Sequence, residues 1–254
     1  MLSGVPAASN LRSGAEGGAD QLLARFLDAS ARLRRALLPE ILRRRSELVP
    51  LIPGRLSTLD ADSDDWAAGL LIQLVVTGDD SPAATDLLAR YPEGWLNASS
   101  AAGLDYGPLQ RQLMAAAFEE ADRLTSEALR QLAGAGAVQR GYVYYSEVAT
   151  MPGLDLESLD RLWVCYSRGR FGFSVQGRLL QACGGRWDRL WPRIGWKAAG
   201  VWTRYPGSFT WSHEAPEGHL PLVNQLRGVR LMDALLHHPA LSRRTNAGQR
   251  PPAR

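Results

Sequence analysis

The sequence predicts a mainly helical chain, and three observations carry that expectation. Apolar residues recur at helical spacing as far as Leu132 and again from Leu222 to Leu236, the signature of an amphipathic helix. Proline and glycine punctuate those stretches at short intervals, as they do between packed helices. Only two short stretches read as strand.

From Asp20 to about Leu38, Leu23, Phe26, Leu27, Leu33 and Leu37 keep a helical period. Pro39 is expected to open a second helix through Glu40, Ile41 and Leu42 to Leu48, because a first turn has no use for the N–H that proline lacks. Pro50 and Pro53-Gly54 break the chain. A third helix is expected over Ser63 to Thr77, with Ser63 as cap, Asp64 and Asp65 at its positive end and Gly78 as its stop. Ser81-Pro82 opens a fourth, to about Arg90. Four short antiparallel helices over residues 20–91 make a small bundle.

Residues 92–104, with Pro92, Gly94, Asn97, Ser99 and Ser100, read as a linker to a second domain over 105–237. Leu109 and Leu113 lead one helix there; Phe118, Ala121, Thr125, Ala128, Leu129 and Leu132 lead the next. By local pattern Tyr142-Val143-Tyr144-Tyr145 is a strand and Val201 to Trp211 a hairpin about Pro206-Gly207. Residues 1–19 read as a disordered lead-in, and the acid-free residues 238–254 as a frayed basic tail.

Composition excludes several chemistries. The chain of 254 residues balances 29 Lys+Arg against 26 Asp+Glu, and a net charge of +3 does not announce a nucleic-acid partner. Lys197 is the sole lysine, which removes a lysine phosphate loop and leaves one candidate Schiff-base amine. Cys165 and Cys183 are spaced neither for zinc nor for a disulfide framework, and fit a reducing compartment. The longest uncharged apolar run, Trp66 to Gly78, is 13 residues, short of the ~20 a bilayer helix needs. The N-terminal stretch lacks a secretory apolar core, and Glu16 and Asp20 argue against a transit peptide.

No catalytic constellation emerges. Gly172-Phe173-Ser174-Val175-Gln176 lacks the closing glycine of a nucleophile elbow. His213 and His219 are six apart beside Glu214 and Glu217 and would not share a helix face, so loop and capping roles are expected over a metal site. His237-His238 lies by the tail. The runs Arg34-Arg35 and Arg43-Arg44-Arg45 read first as a solvated helix face, with peripheral docking to an anionic membrane or an acidic partner as the sharper alternative.

What remains is aromatic. Six of the eight tryptophans lie between Trp163 and Trp211. Part of that is core, but Trp202, Tyr205, Phe209 and Trp211 sit among Thr203, Pro206, Gly207 and Ser208 in a loop-like segment, which suggests an apolar ligand or a lid over one. On a helix from Leu222 to Leu236, Leu222, Leu226, Val229, Met232 and Leu236 form one apolar stripe, while Asn224, Arg227 and Arg230 gather opposite. That polar face is either plain solvated surface or an anion clamp. The clamp would suit a flat apolar ligand with carboxylate arms.

The segments Asp160-Arg161-Leu162-Trp163, Tyr166-Ser167, Gly169-Arg170-Phe171-Gly172-Phe173-Ser174-Val175-Gln176, Gly195-Trp196 and Ala215-Pro216-Glu217-Gly218-His219-Leu220-Pro221 resemble the genomes-uncoupled-four family of tetrapyrrole-binding regulators of magnesium chelatase. Asp105-Tyr106, Leu109, Leu113, Phe118, Glu120-Ala121-Asp122 and Thr125 are similar to its opening helices, so the resemblance covers about Asp105 to Leu236. The front half is similar to the N-terminal bundle of cyanobacterial members. Phe118 stands where many members have tryptophan, and Gly153 where a cysteine is common.

The resemblance implies an all-α fold, with a helical bundle followed by an all-helical core cupped around an apolar palm. It turns Tyr142–Tyr145 and Val201–Trp211 into loops bordering that palm. It implies porphyrin contacts at Tyr205 and Phe209 of the flexible loop, with Trp202 of the same loop beside them. Polar contacts fall at Asn224, Arg227 and Arg230, and an opposite wall at Val138 and Tyr145. The implied function is non-catalytic binding of protoporphyrin IX and Mg-protoporphyrin IX, with stimulation of magnesium chelatase through its large porphyrin-binding subunit. No further cofactor or metal is implied. The implied setting is a monomer in a cyanobacterial cytoplasm, peripheral at membranes, with no nucleic acid. The competing readings are an enzyme acting on tetrapyrroles and a protein-only adaptor of the chelatase.

Overall fold

The computed structural model describes residues 8–77, 82–223 and 229–247. The front half comprises α1 (Ala8–Asp28), α2 (Ala31–Arg43), α3 (Arg45–Leu48), a 3-10 turn (Val49–Leu51), α4 (Ile52–Leu56), α5 (Trp66–Val76) and α6 (Pro82–Arg90). There follow α7 (Gly107–Met114), α8 (Phe118–Ala133), α9 (Ala135–Arg140), a second 3-10 turn (Tyr145–Thr150), α10 (Gly153–Tyr166), α11 (Phe173–Ala182) and α12 (Trp187–Arg193). A two-strand ribbon, β1 (Lys197–Ala198) and β2 (Val201–Trp202), precedes α13 (Val229–His237) and α14 (Pro239–Ala247). The all-helical expectation holds, with that ribbon as the sheet among the described residues.

Local chemistry sets the helix ends, and several differ from the sequence reading. α1 begins at Ala8, inside the expected lead-in. The helix expected from Asp20 to Leu38 breaks where Ser30 caps α2, its Oγ accepting from Leu33 N at 3.4 Å. Arg34 closes the break by donating from Nε to Phe26 O at 3.0 Å, and also to Leu27 O and the Asp65 carboxylate. Pro39 lies inside α2 instead of opening a helix. Pro39 and Arg35, whose carbonyl loses its i+4 donor, are both exposed, so water can take the missing N–H's place. Asp65, two residues past the expected cap Ser63, caps α5 by accepting from Ala67 N at 3.0 Å. The arginine runs are not a uniform solvated face: besides Arg34, Arg45 Nε donates to Leu74 O at 2.6 Å and Arg44 pairs with Glu47.

α5 is buried from Trp66 to Val75 and joins the two halves. A Cβ on Gly69 would lie 2.1 Å from Cys165 O in α10, so the two backbones meet there. Gly69→Ala is therefore expected to cost about 1–3 kcal/mol, the range of an overpacked core, as a lower urea midpoint with an unchanged m-value. One turn on, Gln73 Nε2 donates to Leu113 O (2.8 Å) and Tyr166 O (2.7 Å), pinning α5 to α7 and α10.

The expected linker is a packed strap. Trp95 and Leu96 are buried. Gln110 accepts from Leu96 N (2.7 Å) and donates to Glu93 O (3.0 Å), while Ser158 Oγ donates to Ser99 O (2.6 Å). The buried carboxylate of Asp155 accepts from Ala101 N (2.9 Å), Tyr106 Oη (2.8 Å) and Ser100. One continuous core runs through both halves.

Pro239–Ala247 of the expected basic tail form α14. α14 buries Ala240, Leu241 and Thr245 against α10 and α11, and Arg244 reaches the wholly buried Asp160. No strand forms at Tyr142–Tyr145, which lead into the second 3-10 turn. The hairpin expected over Val201–Trp211 does not form; a shorter ribbon ahead of it pairs Lys197 with Trp202 around Ala199-Gly200, and residues 203–211 carry no strand. Both residues of that turn take positive φ, 47° and 81°, which glycine allows more readily than the backbone at Pro206. Among the described residues no helix is long and apolar enough to cross a membrane.

Candidate functional site

A cavity of about 810 Å³ opens between α8, the Gly141–Val143 loop, the ribbon and its following loop, Leu222–Val223 and the start of α13. That volume lies within the roughly 300–1,000 Å³ of small-molecule sites. α8 contributes Asp122, Ser126, Leu129 and Arg130, positions that share one helical face. Val143, Val201, Leu222, Val223 and Leu231 make the rest of the lining largely apolar, and Trp202 and Tyr205 add ring surface.

Trp202 ends a tryptophan ladder. Trp187 stacks on Trp191 (5.1 Å between centroids), Trp191 stacks on Trp196 (5.6 Å, 7° between planes), and Trp202 tilts against Trp191 at 5.5 Å. The Lys197 ammonium sits 5.3 Å from the Trp202 ring. The ladder is fixed in turn, because Trp196 Nε1 donates to His219 O at 2.8 Å. Trp202 is thus a supported platform.

The loop after it is anchored from beneath. Thr203 donates from N to Trp196 O (3.0 Å) and from Oγ1 to Gly195 O (2.9 Å). Phe209 is buried, packing on Tyr205, Trp211 and His219 at centroid distances of 6.3, 5.8 and 5.0 Å. Phe209 is therefore an anchor under the loop and not part of the cavity lining. Tyr205, 52% exposed, lines both this cavity and a shallower one of about 450 Å³ beside Phe118 and Trp211. Burial pushes its phenol up, and the neighbouring Asp122 adds to that.

Asp122 is the unusual group in the wall. Its Oδ1 accepts from Leu222 N at 2.6 Å, and burial pushes its carboxyl up to about 7; the Leu222 N–H opposes the rise and Glu119 adds to it. Arg123 is committed to Glu120 and Glu127. Arg130 and Arg204 also line the cavity and have no ion pair among the described residues.

The remaining expected site residues divide. Val138 and Tyr145 are half-exposed and outside the lining. Arg230 is exposed on α13 with its guanidinium carbon 5.5 Å over the Tyr145 ring, so these two are brought together, outside the lining. Asn224 and Arg227 lie outside the described residues, as does Leu226. Over the described Val229–His237, α13 buries Leu231, Met232, Leu235 and Leu236; Val229, expected in the stripe, is exposed.

Both expected loop histidines are structural. His219 donates from Nδ1 to Ile194 O (2.6 Å) and accepts at Nε2 from Thr210 N (3.3 Å). His213 meets Gln73 Oε1 with Nε2 at 3.0 Å and lies edge-on to Phe118 at 4.9 Å. Burial and the nearby Arg168 and Arg170 pull its imidazole down to about 3. Among the described residues no cluster of His, Cys, Asp or Glu could hold a metal. Sequence reasoning missed the α8 wall, although Asp122 falls within the apolar run Phe118, Ala121, Thr125, Leu129. An acid in that position is a signal in itself.

A GUN4-like family model matches residues 99–239, more than half of the chain and all of the cavity lining. A Ycf53-like protein of Synechocystis sp. is 48% identical over 176 residues, 69% of this chain and 76% of that protein. The chloroplastic tetrapyrrole-binding protein of Arabidopsis thaliana is 37% identical over 143 residues, 53% of this chain and 54% of that protein. The structure of GUN4 from Chlamydomonas reinhardtii superposes with a TM-score of 0.55 at 39% identity, covering 57% of this chain and 95% of that one. Ligand-free Arabidopsis thaliana GUN4 gives 0.51 at 38% identity, over 55% and 99%. With a family model matched over more than half of its length and a relative 48% identical across 76% of that protein, this chain belongs to the GUN4-like family.

Proposed function

We propose that this protein binds a tetrapyrrole, protoporphyrin IX and its magnesium complex, without transforming it, and that it stimulates magnesium chelatase by exchanging that ligand with the large porphyrin-binding subunit. The observation that carries the reading is the cavity. Its lining of Val201, Trp202, Tyr205, Leu129, Leu222 and Leu231 suits a broad apolar ring, with Arg130 and Arg204 available to carboxylate arms. Each Å² of apolar surface covered contributes roughly 25 cal/mol, and arginine forks orient a carboxylate. The name of the Arabidopsis relative, a tetrapyrrole-binding protein, supports the same ligand class. The described lining has no His, Cys or Met to grip a central metal, which suits a carrier that must release its ligand. The proposed setting is a cyanobacterial cytoplasm.

The test is a titration with a soluble dicarboxylate porphyrin, with and without magnesium, read by tryptophan quenching and by the shift of the porphyrin band. Saturable binding at micromolar Kd or tighter is expected, and extraction should return the porphyrin unchanged. Trp202→Ala, Tyr205→Ala and the double variant Arg130→Ala/Arg204→Ala should each weaken binding about tenfold, about 1.4 kcal/mol. A chelatase assay should lose stimulation in the same three variants. Without saturable binding by the unaltered protein the cavity reading falls, and stimulation that persists would leave the protein-only adaptor in its place.

A further inference from the structure

Trp202 is the most exposed tryptophan among the described residues, at 38%, and it lines the large cavity. Behind it in the ladder Trp191 and Trp196 are shielded, at 9% and 1%. Trp187 and Trp211 are half-buried and outside that lining, and the remaining tryptophans are core. The ring of greatest chemical reactivity in the wall is therefore also the one most open to a small molecule diffusing in the cavity.

Light absorbed by a tetrapyrrole passes through its triplet state to dissolved dioxygen, which becomes excited singlet dioxygen. That species attacks indole, imidazole and the sulfurs of methionine and cysteine quickly, and a phenol slowly until it ionises. The described lining has no His, Met or Cys to intercept it. Its two tyrosines are weak competitors, because a phenol ordinarily ionises only at about pH 10; burial raises the Tyr205 phenol further. Trp202 is thus the fast-reacting target left in the wall.

We propose that Trp202 is a photo-oxidation site, whose modification by singlet dioxygen ends ligand binding under strong light. The inference rests on the tetrapyrrole reading of the cavity. Singlet dioxygen adds across the C2–C3 double bond of the indole to form a dioxetane. The O–O and C2–C3 bonds then break, each carbon keeps one oxygen as a carbonyl, and the product is N-formylkynurenine. Both oxygen atoms come from one dioxygen, and no reductant or second oxidant enters. The five-membered ring is opened, so the contact with Trp191 at 5.5 Å and with the Lys197 ammonium at 5.3 Å is lost. The platform goes, and ligand affinity falls with it.

The test illuminates the full chain with protoporphyrin IX in aerated buffer, beside samples kept dark or purged with argon. Peptide mass spectrometry should find the mass of one dioxygen added at Trp202 ahead of Trp187 and Trp211. The gain should be faster in heavy water, where singlet dioxygen lives longer, and absent under argon. Retitrated with fresh porphyrin, the modified protein should bind about tenfold more weakly than its dark sample. Trp202→Phe keeps a ring that singlet dioxygen does not attack, so the same dose should leave its affinity equal to that of its own dark sample. The proposal is overturned by an unmodified Trp202, by modification spread evenly over Trp187 and Trp211, by unchanged affinity after full modification, or by an equal loss in Trp202→Phe. The dark titration separates the two readings. No binding in the dark removes both, whereas dark binding with an intact Trp202 after illumination removes this one alone.

Discussion

Replacing Arg244 with methionine is expected to destabilise the folded protein by about 3–5 kcal/mol, the cost of leaving a buried charge without its partner. Arg244 Nε donates to Asp160 Oδ2 at 2.6 Å, and an Nη donates to Asp64. Asp160 is wholly buried, and its other oxygen accepts from Ser174 N at 2.8 Å, the first turn of α11. One guanidinium therefore ties α14 to α10, to the entry of α11 and to the loop before α5. Methionine keeps most of the apolar stem, so the loss isolates the charge. Asp64→Asn should cost about 1 kcal/mol or less, because Asp64 is partly exposed and its pairing is screened. The double variant Arg244→Met/Asp160→Asn should recover much of the deficit, since no net charge then stays buried. Urea midpoints of the four proteins decide it. Equal losses in the single and double variants would mean that α14 is held by packing alone.

That clasp also shows where sequence reading stops. Residues 238–254 look like a tail because acids are absent within the stretch, yet the acids that hold Arg244 are 84 and 180 residues away in sequence. A pairing at such range leaves no local pattern. The strap from residue 92 to 104 misreads as a linker for the same reason: its turn-forming residues are real, but Gln110, Asp155 and Ser158 bind its backbone from other elements. Helical periodicity, by contrast, is local, and it located α5, α7 and α8 closely. Of the site, the aromatic loop was legible because Trp202 and Tyr205 stand in a short polar, glycine-containing segment. Phe209 was not separable from them, since burial beneath a loop depends on His219 and Trp211 and not on neighbours in sequence. The α8 wall was hidden because a helix with one apolar face looks the same whether that face meets protein or a cavity.

Asp122→Asn is expected to stabilise the protein above pH 7, by up to about 4 kcal/mol, and to have little effect near pH 4. The carboxyl ordinarily titrates at 3.8 and in the fold at about 7, raised first by burial. Between those values the folded chain keeps a proton that the unfolded chain has lost, so stability falls as pH rises through that window and levels off above it. The span from 3.8 to about 7 corresponds to about 4 kcal/mol at 1.36 kcal/mol per pH unit, an upper figure for one group. Asparagine cannot ionise, yet it keeps an oxygen for the Leu222 N–H. Unfolding midpoints of the two proteins should diverge from pH 4 to 7 and run parallel above it. Because Asp122 lines the cavity, its charge also repels a dicarboxylate ligand. Asp122→Asn should therefore bind a dicarboxylate porphyrin several-fold tighter at pH 8, with a smaller gain at pH 6, where the native carboxyl is mostly protonated. A variant less stable than the parent at pH 8 would show that the Leu222 N–H and the lining arginines hold the carboxylate more strongly than burial opposes it. The wall would then be built to carry a negative charge.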